Sequence, residues 1–186
     1  TTPMRSIEDV HVVTEIEQTT GMVTARVRTG SGDGLTVSGL IKGHGADISA
    51  QKTVQDNAAV VEFAVPDASF WSPEAPNLYQ LRVDLLDGAE AVDSYSLEIG
   101  IRTVEVRGHQ LLLNGDPVVL RGFGRHEDFP VVGRGMMPAL IVKDFELMRW
   151  TGANSFRTTH YPYSDEMMTL ADCLGFLMID ETPIVG

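Results

Sequence analysis

The sequence has little cysteine, little basic charge and no long apolar run. One cysteine among 186 residues means that no disulfide can form within the chain. Lysine and arginine total 14 against 26 acidic residues, and the resulting net charge of -12 argues against a general nucleic-acid-binding role. No apolar run is long enough to span a membrane. We therefore expect neither nucleic acid nor a membrane as a partner.

The two ends of the sequence suggest a piece of a longer protein. The chain begins Thr1-Thr2-Pro3, with no initiator Met and no signal-like apolar region, and it ends at Gly186 directly after an apolar run. This N-terminus does not identify a compartment, and the cytoplasm is favoured only as a default. Cys173 lies in an apolar, helix-like segment, which predicts a buried or half-buried side chain rather than a catalytic thiol.

Residues 1–103 have the pattern of an all-β domain. Short runs of alternating or β-branched apolar residues recur, and Gly, Asp, Asn or Pro often separates them. This spacing predicts an immunoglobulin-like β-sandwich, although the Cys–Trp–Cys framework of antibody domains is missing. The proline-bearing stretch Phe70–Tyr79 cannot be a central strand, so we predict a long loop between two strands there.

Residues 104–186 alternate between strands and helices instead. Two short hairpins come first, and then the strand "VVLRGFG", the helix "PALIVKDFELMRWTGA", the strand "NSFRTTH", the helix "SDEMMTLADCLG" and the strand "FLMID". This β-α-β-α-β order predicts the opening of a parallel α/β domain. Three strands cannot close a barrel, which needs eight. We therefore expect a separate piece to self-associate through open strands near Leu120 and Phe176–Ile179.

Each of the three predicted parallel strands is followed by a polar cluster. The clusters are Gly124–Asp128, Arg157–Tyr161 and Asp180–Thr182. Active sites of parallel α/β folds collect at the carboxyl ends of the strands, so we expect the three clusters to face one rim. This convergence is more informative than any single motif.

The histidines and the arginine of these clusters are the candidate binding residues. His126 and His160 suit hydrogen bonds to substrate hydroxyls better than a metal, since neither HExxH nor Cys/His spacing is present. Arg157 could hold a carboxylate through a bidentate fork, or it could form a structural ion pair with Asp180 or Glu181. These two interpretations of Arg157 are compatible, and both stay open.

The paired acids of the rim allow two interpretations as well. Glu127–Asp128 and Asp180–Glu181 could suggest a glycosidase with two carboxylates, which must lie about 5 Å apart if configuration is retained. Adjacent acids also serve often as loop caps and ion-pair partners. The residue pattern by itself does not decide between these possibilities.

The stretch "NSFRTTHYPYSDEMMTLADCLGFLMI" resembles the long signature of glycoside hydrolase family 2. Its Asn, Arg, His-Tyr-Pro, apolar pair, acid, Gly and four final apolar residues all have counterparts in that signature. "FWSPEAPNLYQLRV" resembles the family's immunoglobulin-like domain, and "LRGFGRHED" resembles the start of its catalytic barrel. "GFGRHED", "HYPYSDEMM" and "IDET" are most similar to the β-glucuronidases of the family.

The resemblance implies an immunoglobulin-like sandwich (1–103) followed by the first three β/α units of a TIM (β/α)8 barrel (104–186). It implies retaining hydrolysis of β-D-glucuronides, or alternatively of β-galactosides or β-mannosides, with two glutamates and no cofactor. Both glutamates would lie beyond Gly186, so the chain would hold no catalytic residue and would be inactive alone. The intact enzyme is expected to be a homo-oligomer.

The resemblance also assigns roles to residues of the rim. His126 and His160 match histidines that face the sugar, and Asp128 matches an acid that lies near the sugar in glucuronidases. Arg157 matches the arginine beside the nucleophile, where its charge should lower the pKa of that carboxylate. Arg157 and His160 are three residues apart, so a regular strand would point them to opposite faces. To share one pocket, they need the strand to end or bulge at Thr158–Thr159.

A function of another class is compatible with the β half taken alone. An immunoglobulin-like sandwich can be a non-catalytic module that acts in adhesion or carbohydrate binding. That interpretation accounts neither for the alternation of strands and helices nor for the three polar clusters after residue 117.

Overall fold

The computed structural model describes residues 5–133 and 137–183, so the parts of the two predicted domains at 1–4, 134–136 and 184–186 lie outside the description. The described residues form two compact units. One contains the residues up to Phe70 together with Asn77–Glu105, and the other contains Trp71–Pro76 and the residues from Val106 onward. Within this part of the chain, no helix has the length and apolarity needed to cross a lipid bilayer.

The first unit is a sandwich of two antiparallel sheets, with strand orders β1-β2-β5 and β4-β3-β6-β7. Its strands are β1 (Ile7–Glu17), β2 (Thr20–Thr29), β3 (Thr36–Gly43), β4 (Ala46–Thr53), β5 (Ala58–Val65), β6 (Tyr79–Asp87) and β7 (Glu90–Ile99). Alternate residues of β2, β3, β5 and β6 are buried, because successive side chains of a strand point to opposite faces. Those buried residues form the core of the unit, and the predicted immunoglobulin-like sandwich is confirmed.

A short antiparallel sheet comes next along the chain. It consists of β8 (Val104–Arg107), β9 (Gln110–Leu113) and β10 (Asp116–Pro117), in the order β10-β9-β8. Asn114 and Gly115 join β9 to β10 and both have positive φ angles, 53° and 86°. This is the backbone that a tight Asn-Gly hairpin turn requires, and the sequence signal for it is sound.

The remainder of the second unit alternates strands and helices as predicted. Its elements are β11 (Gly122–Arg125), α1 (Pro138–Trp150), β12 (Ser155–Thr158), α2 (Asp165–Leu174) and β13 (Leu177–Ile179). Strand β12 pairs in parallel with β11 on one side and with β13 on the other. The first three strands of a parallel barrel are therefore present. The first of them begins at Gly122, so Leu120 precedes the strand instead of lying in it.

Helices α1 and α2 cover this sheet with apolar side chains. Phe145 of α1 is 1% exposed and contacts Phe156 and Phe176 edge-on, with ring centroids 5.6 and 5.0 Å apart. Edge-to-face contact is the favoured arrangement of aromatic rings in a core. Met167 of α2 is fully buried in the same cluster. This packing holds the three strands together and fixes the positions of their carboxyl ends.

Helix α2 begins and ends at the residues that its sequence indicates. The Ser164 side chain accepts a hydrogen bond from the Met167 backbone N–H, and Gly175 ends the helix with a φ of 76°. The prediction for Cys173 is wrong, because this side chain is exposed. The helix buries Met167 and Ala171, which are four residues apart and share one face. Cys173 is two residues after Ala171, about half a turn of the helix, and therefore lies on the opposite face.

The loop predicted at Phe70–Tyr79 connects β5 to β6, but its middle belongs to the second unit. Trp71 is 0% exposed, and its indole Nε1–H donates a 2.8 Å hydrogen bond to the carbonyl of Asp172 in α2. The Asn114 amide donates to the Trp71 carbonyl at 3.0 Å. The chain thus leaves the sandwich for six residues, packs an indole beside α2 and returns.

Candidate active site

The three parallel strands bring their polar ends to one rim. His126 follows the last residue of β11, His160 lies two residues after β12, and Glu181 lies two residues after β13. The rings of His126 and His160 are in edge contact, with centroids 5.8 Å apart. Both histidines are exposed, so a ligand can reach them. The convergence expected from the order of strands and helices is present.

Glu181 connects the two predicted binding residues of the second cluster. Its Oε1 lies 2.9 Å from Nε of Arg157, and its Oε2 makes a 3.1 Å hydrogen bond with Nδ1 of His160. Of the two acids considered as partners for Arg157, it is thus Glu181 that forms the ion pair. The Arg157 side chain remains 45% exposed, so this pair is not buried and the guanidinium stays accessible from the rim.

The end of β12 explains how Arg157 and His160 reach the same carboxylate. The strand ends at Thr158, within the predicted break, and the peptide bond between Thr159 and His160 is cis. Thr158 Oγ1 donates to Asp180 Oδ1 at 2.9 Å and accepts from the Glu181 N–H at 2.8 Å. These bonds tie the break in β12 to the end of β13. The expectation that the strand ends between Arg157 and His160 is confirmed.

The acids after β11 have structural surroundings. Glu127 Oε1 accepts from the Ser164 hydroxyl at 3.2 Å and from the Ser164 N–H at 3.4 Å, next to the N-terminus of α2. Glu127 therefore serves as a loop cap, and Glu181 as an ion-pair partner. Asp128 is exposed. Within residues 5–133 and 137–183, no hydrogen bond or ion pair links Asp128 to His126, and its proposed contact with a sugar stays a prediction.

Arg125 is a residue whose setting the sequence did not reveal. It is 7% exposed, pairs with Asp144 of α1 at 2.8 Å, and lies 5.5 and 5.7 Å from the ring centroids of Phe129 and Tyr163. Its carbonyl accepts from the hydroxyl of Tyr163 and from both the side chain and the N–H of Thr159. The one available signal was an arginine directly before a strand-end histidine. The contacts of Arg125 link the end of β11 to α1 and to the turn after β12.

Burial also changes the acidity of a side chain beneath the rim. Desolvation raises the pKa of the Tyr163 phenol above its ordinary value of 10.0, and hydrogen bonding with Thr159 opposes this only in part. Tyr163 therefore stays a neutral hydrogen-bond donor at physiological pH. Its ring is packed 5.3 Å from that of Tyr161, so both tyrosines support the turn after β12.

The described rim is built to bind polar groups. The described residues include no group of three or more His, Cys, Asp or Glu side chains that could surround one metal ion. The accessible groups are two imidazoles and a guanidinium, which can hydrogen-bond sugar hydroxyls and attract a carboxylate. Glu127 caps a loop and Glu181 forms an ion pair, which are the structural roles that adjacent acids often have.

The geometry can be compared with known families at this point. The family model described as glycosyl hydrolases family 2, TIM barrel domain, matches residues 104–186, and that of glycosyl hydrolases family 2 matches residues 6–102. The chain belongs to glycosyl hydrolase family 2. The family 2 match to a barrel domain in the second half also excludes an interpretation as an immunoglobulin-like module alone.

Similar proteins agree with this membership. Mouse β-glucuronidase is 39% identical over 191 residues, which cover 100% of this chain and 29% of the mouse protein. The β-glucuronidase of Ruminococcus gnavus in complex with uronic isofagomine has a TM-score of 0.87 at 38% identity, covering 97% of this family 2 chain and 29% of that chain. The Dictyoglomus thermophilum enzyme gives 0.84 at 37% identity, covering 98% of this chain and 30% of that chain. The chain thus spans about three tenths of the length of these relatives.

Proposed function

We propose that the intact protein containing this chain is a retaining β-glucuronidase. The observation that carries the proposal is the convergence of His126, Arg157 and His160 on one accessible rim, with Glu181 between two of them. The similarity to β-glucuronidases extends over the whole chain, and it favours a glucuronide over other β-glycosides.

The chemistry of this reaction gives each rim residue a task. A carboxylate attacks the anomeric carbon while an acid protonates the departing oxygen, and water then releases the sugar with its configuration retained. In the proposal, both carboxyl groups come from outside the 186 residues. Arg157 lies beside the nucleophile and keeps it ionised through its positive charge. His126 and His160 hydrogen-bond the sugar hydroxyls, and Asp128 lies near the sugar.

A comparison of aryl glycosides tests this function. The intact protein should hydrolyse an aryl β-D-glucuronide far faster than the matching β-galactoside or β-mannoside, and NMR should detect the β-anomer of the product first. Preference for one of the other two sugars would contradict the substrate, and an α-anomer would contradict retention. The 186-residue chain alone should show no turnover above a vector control. Size-exclusion chromatography of the intact protein tests the proposed homo-oligomer.

A further inference from the structure

We propose that Glu181 is a positioning residue for this reaction, which orients Arg157 and sets the proton position on His160. The inference rests on the proposed β-glucuronidase function. Glu181 is the only described carboxylate that reaches both of those side chains, at 2.9 Å through Oε1 and at 3.1 Å through Oε2. One acid at the end of β13 thereby controls two residues at the end of β12.

The contact with Arg157 anchors one end of a long side chain. Arginine carries a large rotamer entropy, which a hydrogen bond to its guanidinium restricts. The closest contact with Glu181 is through Nε. A guanidinium is a planar fork with five N–H donors, so an anchor at Nε fixes the plane in which the other N–H groups meet a second carboxylate. Glu181 thus sets the direction from which Arg157 approaches the nucleophile.

The contact with His160 decides which ring nitrogen carries the proton. An ionised carboxylate only accepts hydrogen bonds, so Nδ1 of His160 must be the donor to Glu181. In the neutral imidazole, Nε2 is then an acceptor, and it can receive a hydrogen bond from a sugar hydroxyl. The edge contact with His126 limits rotation of the ring. Glu181 therefore determines the direction of the hydrogen bond that His160 offers the substrate.

Glu181 is itself held in place. Its N–H donates a 2.8 Å hydrogen bond to Oγ1 of Thr158, which is 0% exposed. The Thr158 hydroxyl in turn donates a 2.9 Å hydrogen bond to Asp180 Oδ1. The Glu181 side chain is 28% exposed, which is less than either partner. A carboxylate with a fixed backbone and limited exposure is suited to orient two more exposed side chains.

The substitution Glu181→Gln in the intact protein tests the proposal. The amide has the same size and its oxygen can still face Arg157 Nε. Its NH₂ group, however, is a donor where His160 now donates, so Nδ1 must become the acceptor and Nε2 must carry the proton. We expect kcat/KM for an aryl β-D-glucuronide to fall by about 10- to 100-fold, the effect of losing a hydrogen bond to a charged group. Glu166→Gln, at an exposed position in the first turn of α2, is the matched control and should keep wild-type kcat/KM.

A double-mutant cycle separates positioning from a general structural effect. Glu181→Gln keeps an oxygen for Arg157 Nε, so its effect should come through His160. In a His160→Gln background it should therefore change kcat/KM by less than about 3-fold, because the orientation that Glu181 supplied to His160 is already lost. Full additivity of the two substitutions would overturn the proposal. So would wild-type kcat/KM in the Glu181→Gln single variant. An inactive wild-type protein would instead overturn the proposed β-glucuronidase function.

A second variant covers the case in which Glu181→Gln does not fold. Glu181→Asp keeps the charge but shortens the side chain by one methylene, so its carboxylate cannot span Arg157 and His160 together. We expect its kcat/KM to fall by about 10-fold or more while its melting temperature stays close to wild type. Wild-type kcat/KM in a folded Glu181→Asp variant would contradict the role of Glu181.

Discussion

Gly175→Ala and Gly152→Ala form a matched pair that tests the attachment of the Trp71–Pro76 segment. Both glycines lie at the end of a helix in the left-handed region, with φ angles of 76° and 79°. A Cβ added at Gly175 would lie 2.4 Å from the carbonyl oxygen of Pro73, whereas one added at Gly152 would meet nothing within 4 Å. The two substitutions therefore differ in one contact.

The expected effects follow from these distances. Alanine in the left-handed region costs about 1–2 kcal/mol of stability at either position. At Gly175 the carbonyl of Pro73 must also move, and overpacking of this kind adds about 1–3 kcal/mol. The Pro73 carbonyl cannot move freely, since buried Trp71, two residues before it, is hydrogen-bonded to the Asp172 carbonyl of α2 and to the Asn114 amide. The additional loss of stability should therefore appear as easier local unfolding of Trp71–Pro76 and of α2.

Hydrogen–deuterium exchange of the intact protein measures this cost locally. Backbone amides of residues 71–76 and 165–175 should exchange about 5- to 150-fold faster in Gly175→Ala than in Gly152→Ala, which corresponds to the additional 1–3 kcal/mol. Equal exchange in the two variants would refute the reasoning. Faster exchange throughout the protein, without a difference in these two segments, would refute it as well.

Three further predictions concern the second unit. Because the pKa of Tyr163 is raised in the fold, stability is full below about pH 10 and falls as pH rises above it, and Tyr163→Phe should remove that part of the alkaline loss in urea unfolding. Asp144→Asn leaves Arg125 buried without its carboxylate and should lower the free energy of unfolding by about 1–3 kcal/mol, most of which Arg125→Met should recover in the double variant. The 186-residue chain alone should associate through edge strands β11 and β13, where Phe123 and Ile179 are 51% and 48% exposed, and a clean monomer in light scattering at high concentration would contradict this.

Sequence signals were sufficient wherever the deciding interactions are local. The cap at Ser164 and the turn at Asn114–Gly115 involve residues within a few positions of each other, and the alternation of strands fixes one face of each sheet. The order of strands and helices then determines which ends share a rim. The end of β12 at Thr158 followed from strand geometry combined with the family resemblance. The resemblance implies that Arg157 and His160 face one pocket, and a regular strand would point two side chains three apart to opposite faces.

Interactions between distant positions were not readable in advance. The Trp71 indole and its acceptor, the Asp172 carbonyl, are 101 positions apart. The pattern around Trp71 predicted a loop pinned by Phe70 and Trp71, but not the residue that Trp71 contacts. Arg125 looked like one more polar residue of the rim, but it is buried by Phe129 and Tyr163 and paired with α1. The distinct contacts of Glu127 and Glu181 also arise only when separate strands meet. The substrate-binding roles of His126, Asp128, Arg157 and His160 stay predictions.

The course of the chain through Trp71–Pro76 has a consequence for protein engineering. Since this segment belongs to the second unit while the residues on both sides belong to the sandwich, a single cut near Glu105 cannot separate the two units. A truncated barrel that begins there would lack the indole that fills the space beside α2. In chimeras between relatives, residues 71–76 should be exchanged together with the barrel, so each crossover needs three junctions instead of one. During synthesis, Trp71–Pro76 is made about 100 residues before α2, so the Trp71 indole can form its hydrogen bond to Asp172 only after α2 has been synthesised.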